Sequence, residues 1–311
     1  MKSAVVTGAN GFVGRALVSE LRSRGVRVLA VVRRQDDLPR EAEIVPVTLD
    51  LSHIARLPAL TGESWDVFYH LAWTGTAGEL RKDAAVQLAC VQAATEAVRA
   101  AKAMGCGLFI GAGSIMEKEV LAGCADPDAR PKGGHIYSAA KLAAHQMTRC
   151  LAAELGIGHI WAMITNAYGE GECSPRLINA TLRKLLRREE PRFTQAAQCY
   201  DFIHVADAAR AFWLLGERGK AFHEYIVGSG GARPLREYLE ALCRIAAPDV
   251  APVFGEVPFD GISLPPRAFD TAALEQDTGF VPDITFEEGI CRTLRSLQES
   301  DGQQNFREEN G

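Results

Sequence analysis

The chain has 311 residues, enough for one large α/β domain or two smaller lobes around a substantial core. Hydrophobic residues make up 47%, charged residues 23%, and the formal net charge is −5. That balance supplies no basic field for nucleic acid or an anionic membrane surface, and no window approaches a membrane-spanning apolar run, so the protein is expected to be soluble and cytoplasmic.

The chain opens on the short apolar run SAVVT (3–7), followed by Gly8, Gly11 and Gly14 and then by RALVSELRSRG, which reads as an amphipathic helix. Further strand candidates are VRVLAVV (26–32), EIVPV (43–47), DVFYHLA (66–72), GLFIGA (107–112) and GHIWAMI (158–164), alternating with helical stretches such as the alanine-rich segment 83–105. Apolar strands alternating with helices are buried on both faces, which predicts an α/β fold with a parallel, doubly wound (Rossmann) sheet.

Beyond residue 165 the pattern loosens. Residues 166–200 are rich in Gly, Pro and charge around one helix, SPRLINATLRKLLRREE. A strand or loop (201–206), a helix (207–218) and EYIVG (224–228) are expected to rejoin the sheet, before helices at 234–246 and 286–298. The expected division is a dinucleotide-binding domain at 1–165 plus about 201–230, and a smaller, discontinuous C-terminal α/β substrate lobe at about 166–200 plus 231–300. The polar tail 301–311 should fray. Eight cysteines (90, 106, 124, 150, 173, 199, 243, 291) form no CxxC pair and have no histidine at ligand spacing. They read as reduced, mostly buried thiols, with no metal site.

In a strand–turn–helix, glycines permit a tight turn, approach of the backbone to a pyrophosphate and close helix–strand packing, with the helix N-terminus facing the phosphates. The end of the second strand selects the dinucleotide. Val32 is followed by Arg33 and Arg34 rather than a carboxylate, and two guanidiniums suit a 2′-phosphate. The expected cofactor is therefore NADP; the alternative is a solvated arginine pair, with Asp36 or Asp37 holding the ribose of NAD.

The glycine spacing is GxxGxxG, and here the chain resembles the extended short-chain dehydrogenases/reductases, the epimerase/dehydratase enzymes that modify nucleotide sugars. The resemblance runs through TGANGFVG (7–14), DL (50–51), DVFYHLAW (66–73), YSAAK (137–141), NAYGEG (166–171), YDFIHVADAARA (200–211), YIVGSG (225–230) and FDTAALEQDTGFVPDITFEEG (269–289). It implies Gly8, Asn10, Gly11, Phe12, Val13 and Gly14 at the pyrophosphate, Asp50 and Leu51 beside the adenine, and Ala72 and Trp73 beside the ribose and nicotinamide. It further implies that Asn166 contacts a sugar diphosphate, that Arg267 clamps it, and that the protein is a homodimer through the helices of 84–103 and 139–153. Tyr200 stands where the pattern frequently has arginine, leaving Arg176, Arg183 and Arg192 as unranked substitutes.

Tyr137 and Lys141 are four apart on a helix expected to begin near Ile136, so they share a face. A neighbouring ammonium favours the phenolate and should lower the tyrosine pKa for proton exchange with a sugar hydroxyl or carbonyl. Lys141 can also hold the nicotinamide ribose. The plain alternative is a surface Tyr/Lys pair. Ser114, the one Ser or Thr between Thr95 and Ser138, falls at the end of the fifth strand, suited to donating to the reacting oxygen. Where the resembling dehydratases carry an acidic pair, this chain has Ile115 and Met116, which transfer no proton, although Glu117 lies one step further. Together with these residues, the resemblance implies NADP-dependent reduction of a 4-keto-6-deoxyhexose carried on a nucleotide diphosphate. A 4-epimerase retaining NAD is the runner-up, and a non-catalytic dinucleotide sensor is the third reading.

Overall fold

The structure, a computed structural model, describes residues 1–34, 43–126, 128, 132–259 and 261–309, with backbone alone for 301–309. Strand β1 (Ser3–Thr7) is buried from Ala4 onward and turns at Gly8 into helix α1 (Phe12–Ser23). Strands β2 (Arg27–Val32), β3 (Ile44–Thr48) and β4 (Val67–His70) follow, then α2 (Ala84–Ala103), whose first turn is capped by the Asp83 carboxylate. Strand β5 (Leu108–Ser114) leads directly into α3 (Met116–Ala125), and α4 (His135–Leu155) precedes β6 (Gly158–Ile164). All six strand candidates read from the apolar runs are present.

After β6 the chain leaves the sheet plane. The short β7 (Asn166–Tyr168) is followed by α5 (Leu177–Leu186), β8 (Phe202–His204), α6 (Val205–Arg218) and β9 (His223–Val227). Helices α7 (Leu235–Ala246) and α8 (Phe286–Glu309) complete the labelled elements. The seven-stranded sheet has the order β9-β6-β5-β4-β1-β2-β3, and every pairing in it is parallel. Strand β9 rejoins the sheet as expected. Strand β8 does not: the chain turns out of the sheet at Thr165, so β8 finds its parallel partner in β7, outside the main sheet. Helix α8 stays helical to Glu309, although its tail was expected to fray from residue 301.

Alternation along β1 divides the core between the two faces. Ala4 and Val6 pack with Leu17 and Leu21 of α1 and Phe212 and Leu215 of α6. Val5 faces the opposite way, among Phe68, Phe109, Ala97 and Ala101 of α2, and Ala152 of α4. Alanines on α2 let that helix lie close to the sheet. A separate apolar cluster joins Tyr168, Leu182, Phe202, Leu239, Phe286 and Ile290 beyond the ends of the strands. No described helix is long and apolar enough to cross a membrane.

Two glycines of the first turn are obligatory. Gly8 has φ +70°, and a Cβ on Gly14 would lie 2.0 Å from the Gly8 carbonyl oxygen, so α1 could not start this close to β1 with any side chain there. Gly14→Ala should therefore destabilise the fold by about 1–3 kcal/mol, whereas Gly134→Ala, where an added Cβ meets nothing within 4 Å, should be nearly neutral. Urea unfolding of the two variants makes the comparison.

Candidate functional site

A cleft of about 710 Å³ opens at the carboxyl ends of β1, β4, β5 and β6, where the strand order reverses around β1. The glycine turn lines it with Gly8, Asn10, Gly11, Phe12, Val13 and Gly14, and Arg15 stands in the first turn of α1. Trp73 and Arg81 enter from the segment after β4, Ser114 from the end of β5, and Tyr137 and Lys141 from α4. Asn166, Arg176 and Tyr200 close the far side. The turn at Gly8, Gly11 and Gly14, where a Cβ would meet the chain's own backbone, packs tightly and brings the N-terminus of α1 to the cleft, which fits a dinucleotide pyrophosphate.

Tyr137, Lys141 and Ser114 converge on the cleft, as the spacing anticipates for the first two. The electrostatics differ from expectation. Burial pushes the Tyr137 phenol above its ordinary range, and the neighbouring Ser114 side chain, then the Arg81 and Arg176 guanidiniums, pull it partly back. The Lys141 ammonium is occupied elsewhere, donating to the Ala112 carbonyl at 2.7 Å with its Nζ 3.8 Å from the centre of the Trp73 ring. Burial lowers Lys141 to about 8, against the opposing pull of Glu117 and Cys90.

Glu117 resolves the question left open beside Ile115 and Met116. Its side chain points away from the cleft, into the core, and is 1% exposed. The carboxylate accepts from the Ser114 backbone N–H at 2.8 Å and from the Trp161 indole at 3.1 Å, and it lies 3.4 Å from His145 Nδ1. Trp161 reaches it by lying across β5, where a Cβ on Gly111 or Gly113 would come within 2.4 Å of the indole. Held in this way, Glu117 orients Ser114 and is out of reach of a ligand in the cleft.

The remaining sequence candidates are distributed as follows. Arg33 and Arg34 are exposed where β2 ends, next to the glycine turn because Thr7 pairs with Val31, but they do not line the cleft. Asp36 and Asp37 lie outside the described residues. Asp50 caps a 3₁₀ turn that begins at Leu51, accepting from Ser52 N–H at 2.9 Å. Ala72 rests against Gly8, and its N–H donates to Thr7 Oγ1 at 3.3 Å. Asn166 lines the cleft with its amide donating to the Asp201 carbonyl at 3.0 Å. Arg267 does not line the cleft: it sits exposed in the 3₁₀ turn Pro266–Phe269, whose Ala268 and Phe269 pack in one cluster with Trp73 and Met116. Of the arginines weighed as substitutes, Arg176 lines the cleft, while Arg192 is paired with Glu256 at 2.6 Å.

Cysteines 90, 106 and 243 are buried and 199 is half-buried, but 124, 150, 173 and 291 are exposed, so the expectation of mostly buried thiols fails: half of them fall on solvent-facing positions. Among the described residues, no group of His, Cys, Asp and Glu could hold a metal ion.

Three contributors escaped the sequence reading. Arg81 lies over the Tyr137 ring, Gln87 anchors the segment that carries Arg81, and Glu119 is pushed up to about 7 by burial, with Arg81 opposing. No local motif marks them. Their positions follow from a loop closure that periodicity does not encode.

The fold, the glycine turn and the Ser–Tyr–Lys convergence define a dinucleotide-binding oxidoreductase scaffold. The chain belongs to the NAD dependent epimerase/dehydratase family, whose model matches residues 4–228. It is 27% identical to GDP-6-deoxy-D-mannose reductase of Pseudomonas aeruginosa over 321 aligned positions, covering 98% of each chain. It is 28% identical to dTDP-glucose 4,6-dehydratase of Escherichia coli, but that match takes in 51% of this chain and 47% of the dehydratase, so the chain spans about half the length of that relative. Among solved structures, RMD from Pseudomonas aeruginosa complexed with NADPH superposes with a TM-score of 0.76 at 25% identity, over 96% of this chain and all of that one. MoeE5 in complex with UDP-glucuronic acid and NAD superposes with a TM-score of 0.78 at 24% identity, over 96% and 99% of the two chains, a likeness of fold.

Replacing Glu117 by alanine strands the Trp161 indole and the Ser114 N–H in the core. The cost should be about 3 kcal/mol in urea unfolding. Glu117→Gln, which keeps an acceptor oxygen, should cost distinctly less.

Proposed function

We propose that this chain is an NADPH-dependent oxidoreductase acting on a nucleotide diphosphate sugar, most specifically a reductase of a 4-keto-6-deoxyhexose. The observation that carries the reading is the convergence of Ser114, Tyr137 and Lys141 inside the cleft that the glycine turn opens onto. NADPH, when bound, supplies the hydride. Tyr137 would give its proton to the carbonyl oxygen, Ser114 would orient that oxygen, and Lys141 would hold the ribose. Arg33 and Arg34 would hold the 2′-phosphate, with Asp50 and Leu51 near the adenine and Ala72 and Trp73 near the nicotinamide end. Asn166 and Arg176 would take the sugar diphosphate, the role the sequence suggested for Arg267.

Two observations support reduction over dehydration. Ile115 and Met116 carry no transferable proton, and Glu117 faces the core. The match to GDP-6-deoxy-D-mannose reductase over nearly all of both chains supports the same choice. The proposed organisation is a dinucleotide-binding domain of residues 1–165 and about 201–230, with a substrate lobe of about 166–200 and 231–300, in a cytoplasmic homodimer. Leu88 on α2 and Met147 on α4, 66% and 53% exposed, suit a surface covered by a second copy.

Tyr137→Phe should lower turnover of a 4-keto-6-deoxyhexose nucleotide about 10²–10⁴-fold while NADPH binding, read by fluorescence, is retained. Undiminished turnover would defeat the reading. Purified protein that carries stoichiometric NAD and consumes no NADPH would instead be the 4-epimerase.

Arg33→Ala should weaken NADPH about 10–100-fold and NADH little, as measured by titration calorimetry. Because Lys141 in the free protein is protonated below about 8 and neutral above it, kcat/KM should be level on the acid side and fall as pH rises through that value.

A further inference from the structure

The segment between β4 and α2 lies against the catalytic pair, and one buried side chain holds it there. Gln87 of α2 donates its amide to the carbonyl oxygens of Thr74 at 3.2 Å, Gly75 at 3.1 Å and Leu80 at 2.9 Å. Its Oε1 accepts from the Trp73 indole at 2.8 Å. The closure is tight: Gly75 has φ +74°, and a Cβ there would lie 2.6 Å from the Leu80 oxygen and 2.7 Å from the Gln87 amide. Two cation–ring contacts follow from this single anchor. Trp73 presents its face to Lys141, and Arg81, the residue after Leu80, sets its guanidinium 4.6 Å from the centre of the Tyr137 ring.

We propose that the segment 73–82, pinned by Gln87, sets the charge balance of the site, with Arg81 stabilising the negative charge left on Tyr137 when its proton departs. This rests on Tyr137 being the proton donor of the function proposed above. The spacing of YSAAK assigns that stabilising role to Lys141, but the ammonium is bonded to the Ala112 oxygen and covered by Trp73. A guanidinium over a phenol ring is attracted by its electron-rich face, and more strongly once the ring carries an oxyanion.

The groups facing Tyr137 are the Ser114 hydroxyl, the Arg81 and Arg176 guanidiniums and, from behind the site, the Glu117 carboxylate; Glu119 acts on Arg81 from further out. Arg176 also approaches Glu172, at 3.8 Å. Among the described residues, Arg81 has no carboxylate within ion-pair distance, which leaves its charge for the phenol. Arg81 acts through Tyr137 and is a positioning residue, as is Gln87 through Arg81.

The test places 3,5-difluorotyrosine at position 137 of the full chain, where ortho fluorines bring phenol ionisation towards neutral pH and keep the fold out of alkali. Tyrosinate absorbance is then titrated in the wild-type background and in Arg81→Met, Arg81→Lys and Gln87→Leu, each subtracted against its Tyr137→Phe counterpart, with circular dichroism recording the fold. The midpoint should rise by about one pH unit or more in Arg81→Met, return most of the way in Arg81→Lys, and rise in Gln87→Leu. A midpoint unmoved in folded Arg81→Met overturns the proposal, and so does a rise in Arg81→Met that Arg81→Lys leaves uncorrected, since that is the signature of a packing effect. No substrate enters this titration, so its failure is separate from that of the proton-donor role, which falls if Tyr137→Phe turns over normally.

Discussion

A carboxylate enclosed in the core organises this protein. A buried charge is tolerated only when donors surround it, and Glu117 has the Ser114 N–H and the Trp161 indole, with the His145 imidazole close by. Each of those partners sits on a different element, so satisfying one side chain fixes β5, β6 and α4 against α3. The indole spans β5 to reach its acceptor, which is why FIGAGS carries glycine at 111 and 113. Tyr137, Lys141 and His145 follow at successive i, i+4 steps along α4. The last meets Glu117, and Thr148, further along, lies 3.0 Å from His159. The helix face that carries the chemistry is thus locked at its base by groups that never see the cleft.

Above that base the local field is positive although the chain as a whole is negative. Arg15, Arg81, Lys141 and Arg176 line the cleft, against Glu172 as an acidic neighbour of Arg176. Low-dielectric walls concentrate such a field, and anions are drawn to it. Glu119, with a pKa raised to about 7 by burial, stands at the edge of this region next to Arg81 and Tyr200. A group that changes charge near neutrality at the rim modulates the field without touching the triad.

The doubly wound sheet was legible because strands covered on both faces leave uninterrupted apolar runs, and the intervening helices keep their own period. The glycine turn and the Tyr137–Lys141 pair were legible for a related reason: their geometry is local, a few residues on one turn or one helix face. What depends on contacts distant in sequence was not. The exchange of β8 from the main sheet to β7 is decided by where the chain leaves β6. Arg267 matches a pattern by position, but its turn holds it in solvent. The Tyr137 environment could be read for the nearest cation in sequence, not for the cation in space, because that cation arrives on a loop closed by Gln87.

The order of the sheet also bears on how the chain is made. Strand β6 is synthesised with its outer edge bare, and the strand that covers it, β9, emerges only after α5, β8 and α6. Throughout that interval a seam of unpaired peptide groups faces solvent, able to template pairing with another nascent chain. Pairing between nascent chains would be favoured at this edge for as long as β9 is missing, and slow elongation through residues 165–222 would prolong the exposure.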